Sequence, residues 1–335
     1  MTGNSKGVLG VDIGGTKVAV GVVDREGKIL TQGRTPMVAN GSSEAGLEAV
    51  VSAIDSMFSS TPLEIESIGI CAPGPLDPNS GIILNPPNVP CWRNFPLAER
   101  IRAKYKVPVK VDNDANAAAL AETLWGAARG FRYVFYATIG TGIGTGIVFD
   151  GAIYHGKTGS AGEGGHISID YRGPVCGCGK RGCIEILAAG PAIGARARDK
   201  AAAEPSRGRM LLDLAKGDAG SITSHHVSEA FESGDPLATE VLEDTVHLLT
   251  IWLGNIVDLL DPDVIVIGGG VAAMLKRFFE EIRNGVPDWC VNPSASEIPL
   301  FMAHYGADAG IAGGAALCSG NPLHARNRVL TRTTK

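Results

Sequence analysis

The segment HISIDYRGPVCGCGKRGC, His166 to Cys183, holds one histidine and three cysteines. Glycines between Cys176, Cys178 and Cys183 let the backbone turn tightly enough to aim three thiolates at one point. With His166 they make a Cys₃His set, which zinc accepts tetrahedrally and which leaves no open position for water, so a metal there is structural. A redox site would want a C-x-x-C pair opening a helix, and the C-x-C spacing does not supply one. Reduced thiols without metal are the remaining alternative. Closure by zinc stabilises isolated modules by on the order of 10 kcal/mol. Two carboxylates flank the cluster, Glu163 in GEGGH and Glu185 in GCIE, and neither is needed as a fourth ligand. They are either solvated surface acids or, held beside the free nitrogen of His166, partners for a ligand rich in hydroxyls.

A second set of acids stands in VDNDANAAALAE, where a strand gives way to a helix at Asp112, Asn113 and Asp114. Ligands of open α/β sheets gather at that carboxyl edge, and the helix N-terminus favours an anion. At least one of the three is expected to cap the helix, the common task of Asp and Asn. Asp114 could instead accept the proton of an attacking hydroxyl. A weak base suffices when a phosphoryl transition state is loose.

Two glycine turns fit phosphate. DIGGTK, Asp12 to Lys17, is not the G-x-x-x-x-G-K-[ST] loop, which argues against a P-loop NTPase. Gly14, Gly15 and Thr16 can still turn N–H groups onto phosphate oxygens, as nests do. Asp12 would then sit where Mg²⁺ or its water shell needs a carboxylate, and Lys17 is either a phosphate partner or solvated. TIGTGIGTG supplies a second turn with Gly142, Gly144 and the hydroxyls of Thr141 and Thr145, and Gly268, Gly269 and Gly270 could let a flat base lie against backbone.

The elements that must carry these residues are legible. VDIGGTKVAVGVVDREGKIL and ATIGTGIGTGIVFDGAIYHG each read as strand, glycine turn, strand and polar turn. Ile13 and Ile139, Gly14 and Gly140, Val22 and Val148, and Asp24 and Asp150 fall into register. This marks either a duplicated α/β unit or two independent hairpins. Between them lie a helix over Glu44–Phe58, the strand SIGICAP, a Pro/Gly-rich loop over Pro73–Trp92, a helix over Leu97–Tyr105, the strand VPVKV and an Ala-rich helix. Alternation of this kind predicts parallel or mixed sheets covered by helices. Further on, Ala238, Val241, Leu242, Thr245, Leu248, Leu249, Trp252, Ile256 and Leu259 keep helical spacing, a core stripe leading into the buried strand DPDVIVIGGG. Gly194–Ser224 has weak periodicity and reads as a solvent-facing excursion. GADAGIAGGAAL reads as a small-residue helix, followed by a polar tail expected to fray.

A length of 335 residues predicts two domains. With 30 Lys and Arg against 35 Asp and Glu and a pI near 5.8, no positive field would draw nucleic acid or an anionic membrane. The start shows no signal-peptide core and no apolar run reaches the ~18 residues of a membrane span, which predicts a cytoplasmic protein. Seven cysteines, an odd number, argue for reduced thiols, with Cys71, Cys91, Cys290 and Cys318 scattered through core and surface. The 45 glycines, nearly twice the usual share of roughly 7%, favour small-molecule partners approached by backbone.

In order along nearly the whole chain, DIGGTK, CAPGPLD, NPPNVPCW, DNDANAAALAE, GTGIGTG, GEGGH, CGCGKRGCIE and VIVIGGG resemble the ROK family of sugar kinases and sugar-responsive repressors, most of all its glucokinases. The resemblance implies an α/β, actin/hexokinase-like (ribonuclease H-like) duplicated fold with an interdomain active-site cleft. It implies residues 1–125 with 311–335 as one domain and 126–310 as a larger second one. It implies transfer of the γ-phosphoryl of Mg·ATP to a hexose hydroxyl, with glucose 6-phosphate the expected product. By matched motif Asp114 would be the catalytic base. Asn113, Glu163, His166 and Glu185 would contact sugar, with Gly74 and Asn88 in the loop that closes over it. His166, Cys176, Cys178 and Cys183 would hold structural zinc, and a homodimer would be the usual assembly. Cys71 and Cys91 stand where the family often has glycine, and Gly165 stands where E-x-G-H more often has a bulky residue, with an altered pocket shape expected there. A repressor of the family would carry a helix-turn-helix segment before DxGGT, where this sequence offers no room. N-acetylhexosamines, fructose and other hexoses are alternative substrates, and a non-catalytic sugar sensor is the alternative outside enzymes.

Overall fold

The structure, a computed structural model, describes residues 6–320. The polar tail and residues 321–335 of the first expected domain lie outside the described residues. In chain order the first half holds β1 (Lys6–Ile13), β2 (Lys17–Val23), β3 (Ile29–Pro36), α1 (Ser43–Ser60), β4 (Glu64–Ala72), β5 (Leu76–Asp77), β6 (Ile82–Ile83), α2 (Leu97–Tyr105), β7 (Val109–Asn113) and α3 (Asp114–Leu124). There follow β8 (Tyr133–Ile139), β9 (Ile143–Phe149), β10 (Ala152–Ile153), α4 (Ile184–Ala188), α5 (Gly190–Ala203), α6 (Arg209–Leu214), α7 (Ser224–Glu232) and α8 (Pro236–Leu260). The chain closes through β11 (Val264–Gly268), α9 (Gly270–Leu275), α10 (Phe279–Gly285), β12 (Leu300–Met302) and α11 (Ala309–Cys318). Among these elements no helix is long and apolar enough to cross a membrane.

Two five-stranded sheets share one plan: β3-β2-β1-β4-β7 and β10-β9-β8-β11-β12. In the first, β1, β2 and β3 pair antiparallel while β4 and β7 run parallel to β1. In the second, β9 and β10 pair antiparallel and β11 and β12 parallel. This recurrence favours duplication over chance among the two openings left by the sequence. Burial follows position: β3 at an edge alternates, whereas central β11 is buried at every residue.

The chain forms two compact units, one running to Tyr136, over Gly146–Gly162 and from Ala303 on, the other over Ala137–Thr145 and Glu163–Met302. The sequence-based boundaries differ, because 126–136, 146–162 and 303–310 fall with the first unit. Close packing is the reason: a Cβ on Gly146 would lie 2.6 Å from the Ala115 carbonyl oxygen of α3. The fully buried Glu122 of α3 also accepts, through Oε1, the N–H groups of His304 at 2.8 Å and Tyr305 at 3.1 Å.

In the first unit, α11 lies between the sheet and α3, which explains the small residues of both helices. A Cβ on Gly69 of β4 would run into the Gly314 carbonyl oxygen, and one on Gly10 of β1 into that of Ile311. Gly313 would meet the Ala117 backbone of α3 at 2.7 Å. Such approach needs glycine at positions 10, 69 and 313. The main apolar core of this unit lies among α1, α2 and the sheet, with Leu9, Val20, Ile54, Ile68, Trp92 and Ile101 almost fully buried.

In the second unit α8 has Asp235 as N-cap, accepting the Ala238 N–H at 2.8 Å, and Pro236 in its first turn. Its expected stripe is buried except Leu248, which is half-buried, and Leu259, which is 72% exposed one residue before the helix ends at Leu260. Gly194–Ser224 is no excursion: α5, α6 and the start of α7 occupy it, and Ile193, Ala197, Ala201, Leu211 and Ile222 are buried. Replacing Gly69 by Ala, a single methyl, should cost about 3 kcal/mol or more of stability through overpacking; an unchanged urea midpoint would show that α11 yields freely.

Candidate active site

In the first unit, β1 ends at Asp12 and Ile13, and the turn to β2 is closed by the Gly14 N–H donating to the Lys17 carbonyl at 2.9 Å. Burial pushes the Asp12 carboxyl above its ordinary range, opposed by the Cys71 thiol and the charges of Lys17 and Arg34. Glycine at 310 is required beside it, since a Cβ there would run into the Asp12 carboxylate. Cys71 is fully buried, its Sγ 3.1 Å from the Gly310 carbonyl oxygen and 3.7 Å from Asp12 Oδ1. All seven cysteines are free.

The turn meets the Pro/Gly-rich loop directly, because a Cβ on Gly15 would lie 2.7 Å from the Asn88 carbonyl oxygen. That loop is pinned by Trp92, which is buried, stacks on Phe95 at 5.1 Å and donates Nε1–H to the Ser43 carbonyl at 3.1 Å. At the loop's other end, a Cβ on Gly74 would lie 3.6 Å from Asn113 Nδ2. Gly74, Asn88, Asn113 and Asp114 thus come from separate stretches of sequence into one unit.

At the head of α3 the capping task falls to Asn113, whose Oδ1 accepts the N–H groups of Ala115 at 2.9 Å and Asn116 at 3.3 Å. Asp114 is therefore released from capping, and its Oδ1 accepts the adjacent Ala115 N–H at 2.8 Å. Burial pushes its pKa up to about 6; hydrogen bonding from Ala115 and Asn113 opposes this, and the charge of Asp12 adds to it. Asp112 is buried, and its Oδ2 lies 2.6 Å from Nε2 of His155. Sequence reasoning missed His155, a single histidine in a turn with no periodic or motif signal around it.

In the second unit, the turn between β8 and β9 is held from below. The Gly140 carbonyl accepts the Gly190 N–H at 2.8 Å, and the Ile143 N–H donates to Glu185 Oε2 at 2.9 Å. A Cβ on Gly142 would come within 2.6 Å of that same Oε2. Of the two hydroxyls expected here, only Thr141 is exposed; Thr145 is buried and its Oγ1 accepts the Gly164 N–H at 2.8 Å. Gly269 follows β11 at φ +93° and packs on the Ile139 backbone, leaving Gly270 to open α9. Thr141 and Gly270 line a cavity of about 660 Å³ together with Gly190, Arg198, His225 and Met274. The last four were missed, and two of them, Arg198 and His225, lie in or directly after the segment read as an excursion.

His166 ends a short turn whose Gly164 carbonyl accepts Nε1–H of buried Trp252 at 3.0 Å. The cysteine loop folds back through Cys176 N–H to Lys180 O at 2.7 Å and Ile184 N–H to Ile167 O at 3.0 Å. As a result one ligand atom from each of His166, Cys176, Cys178 and Cys183 lies within 4.8 Å of the others. The Cys176 Sγ to His166 Nδ1 distance is 3.7 Å and the Cys178 to Cys183 Sγ distance 3.6 Å. A tetrahedron with Zn–S bonds of 2.3 Å has edges of roughly 3.8 Å, so the donor set fits zinc. Glu185, two residues beyond Cys183, has Oε1 3.9 Å from His166 Nδ1. Glu163 is exposed, and only its carbonyl, accepting the His166 N–H at 3.0 Å, ties it to that residue.

A model of the ROK family matches residues 8–321. The chain belongs to the ROK family. The glucokinase of Streptomyces coelicolor is 36% identical over 310 residues, 92% of this chain and 96% of that protein. A ROK family glucokinase from Streptomyces griseus, solved in complex with glucose and AMPPNP, is 35% identical with a TM-score of 0.79, covering 93% of this chain and 98% of that one. A ROK family transcriptional regulator, a homologue of the E. coli MLC protein, has a TM-score of 0.82 at 27% identity, covering 98% and 81%. The two α/β units are the actin/hexokinase-like fold of these ROK neighbours.

One departure from the ROK motif needs correction. Gly165 does not open the pocket, because any Cβ there would strike the Ile143 carbonyl oxygen. The position that could take a side chain is Gly164, whose Cβ would meet Thr145 Oγ1 at 2.8 Å. A larger residue there would displace the Thr145 hydroxyl from the Gly164 N–H.

The electrostatics of Asp114 have a measurable sign. Its native pKa of about 6 lies above the ordinary 3.8, so the native state takes up a proton between those values and its ionised form lowers stability above them. Asp114→Asn, which keeps an acceptor for Ala115, should raise stability at pH 7–8 by on the order of 2 kcal/mol, with the gain vanishing towards pH 4. Urea unfolding across pH tests this, and equal stabilities at pH 8 would count against a buried anion.

Proposed function

We propose that the protein transfers the γ-phosphoryl group of ATP to a hydroxyl of a hexose, glucose giving glucose 6-phosphate, with Asp114 as general base. The observation that carries the reading is the carboxylate at the head of α3: buried, free of capping, and with a pKa of about 6. At neutral pH it is ionised yet retains affinity for a proton, the balance wanted in a base near its working pH. In the first unit the residues read as sugar contacts are Asn113, Gly74 and Asn88; in the second they are Glu163, His166 and Glu185, the last with Oε1 3.9 Å from His166 Nδ1. The glucokinases to which the chain is similar supply the choice of glucose.

The turn from Gly14 to Lys17 and that at Thr141, Gly142 and Gly144 meet phosphates through N–H groups and a hydroxyl. The cavity of Thr141 and Gly270 takes the nucleotide base. Asp12 would hold Mg²⁺ or its water shell, and the ion when bound offsets charge on the phosphates. His166, Cys176, Cys178 and Cys183 would hold zinc, which closes the loop and fixes Glu185 and the imidazole in one relation. A second reading, a sugar sensor without turnover, is favoured by the likeness to the ROK regulator; the buried base and Asp12 favour catalysis.

Coupled ADP release, screened over hexoses, should be fastest with glucose. Asp114→Asn should lose at least about 100-fold in turnover while still binding sugar. In the unsubstituted protein turnover should fall as pH drops through about 6. Normal turnover in Asp114→Asn would remove the base, and absence of ADP release with every hexose would favour the sensor. Separately, Cys178→Ser should lose zinc by elemental analysis and melt earlier; full zinc retention would refute the ligand set.

A further inference from the structure

We infer that His155 is a positioning residue for the reaction: through Asp112 it fixes the backbone from which Asn113 and Asp114 project. The inference rests on the reading of Asp114 as base. Nε2 of His155 donates to Asp112 Oδ2 at 2.6 Å. The other oxygen, Oδ1, accepts the Asn113 N–H at 2.7 Å and the Asn116 side-chain amide at 3.1 Å. One buried carboxylate therefore joins the turn after β10 to the peptide entering Asn113 and to the first turn of α3. Asn113 is the cap whose Oδ1 holds the Ala115 and Asn116 N–H groups, and the same Ala115 N–H reaches Asp114. Any slackening at Asp112 passes to the base through that single peptide.

The surroundings single out His155 for this task. It borders a cavity of about 480 Å³ with Lys110 and Asp112 from β7, Leu120 and Leu124 from α3, and the uncharged Asn79 and Ser319. Charge facing the imidazole thus comes from Lys110 and Asp112. Asp112 dominates, raising the histidine pKa by its hydrogen bond and its charge against the effect of burial. Without the imidazole, Asp112 keeps two donors but loses the partner that can carry positive charge. Loss of that positive charge beside the head of α3 would make ionisation of the base harder.

The test uses the full chain with glucose and ATP, measuring kcat and KM across pH. His155→Ala should lower kcat about 10-fold with glucose KM nearly unchanged, as expected for a displaced reacting group. The acid limb of its kcat profile should move to higher pH. His155→Gln, which restores an N–H donor without charge, should recover most of kcat while leaving the limb displaced. Wild-type kcat and an unmoved limb in His155→Ala would overturn the proposal. So would a loss that His155→Gln fails to restore and that follows a fall in Tm. Asp114→Asn is assayed beside them. Normal turnover there defeats the base reading, whereas an inactive Asp114→Asn with a normal His155→Ala defeats only the positioning role.

Discussion

Burying an ionisable carboxylate costs free energy unless dipoles or charges replace the lost water, and the first unit is organised around that demand at Asp114. Replacement comes from the N-terminus of α3, where the Ala115 N–H donates to Asp114 and the helix dipole favours the anion. It is incomplete, as the pKa of about 6 records, and the nearby Asp12 adds to the deficit. Asn113 takes the cap, so Asp114 keeps its acceptor capacity instead of spending it on the helix. The Ala-rich sequence of α3 follows from packing: only small side chains let Gly313 of α11 and Gly146 of β9 approach the backbone of Ala117 and Ala115.

The second unit meets a different constraint, that of holding a loop rich in glycine and cysteine in one shape. Backbone bonds and the side chains of Ser168, Asp170 and Arg181 define its turns, and Gly182, at positive φ, has no room for a side chain beside the Asp170 carbonyl. Four ligand atoms gathered within 4.8 Å offer a stronger closure. Glu185 joins this loop to the turn between β8 and β9 by accepting the Ile143 N–H at 2.9 Å, so the two glycine-rich segments share one carboxylate.

Much of this was legible because backbone chemistry writes plainly. Alternation and glycine spacing gave both hairpins, the helix over Leu97–Tyr105 was located to the residue, and the cysteine spacing found its four donors. The failures have physical causes. In α5 the buried face is built largely from Ala197, Ala201 and Gly194, so the apolar contrast that marks an amphipathic helix is faint. Leu259 kept helical spacing past the point where the core ends. The altered pocket at Gly165 was an error of register, since Glu163 and His166 put the variable position of E-x-G-H at Gly164, and at Gly165 the Ile143 carbonyl leaves no room for a side chain. His155 was invisible for the complementary reason. Its partner is remote in sequence, and a single histidine bears no pattern.

The proposed base, Asp114 with a pKa of about 6, is far too weak to deprotonate an alcohol in the ground state, so base strength cannot supply most of the acceleration. In a loose phosphoryl transition state the alcohol proton becomes acidic late, and the carboxylate need only stand in line to receive it. Placement then outweighs basicity. That order of importance explains why the residues around Asp114 are committed to hydrogen bonds that fix backbone rather than to contacts that would tune charge. Asn113 caps, Asp112 bridges and Asn116 anchors the bridge, each spending polar capacity on geometry. A sugar sensor needs no such investment in the atom that accepts a proton. The arrangement at the head of α3 is therefore the part of the molecule that argues most directly for chemistry rather than for binding alone.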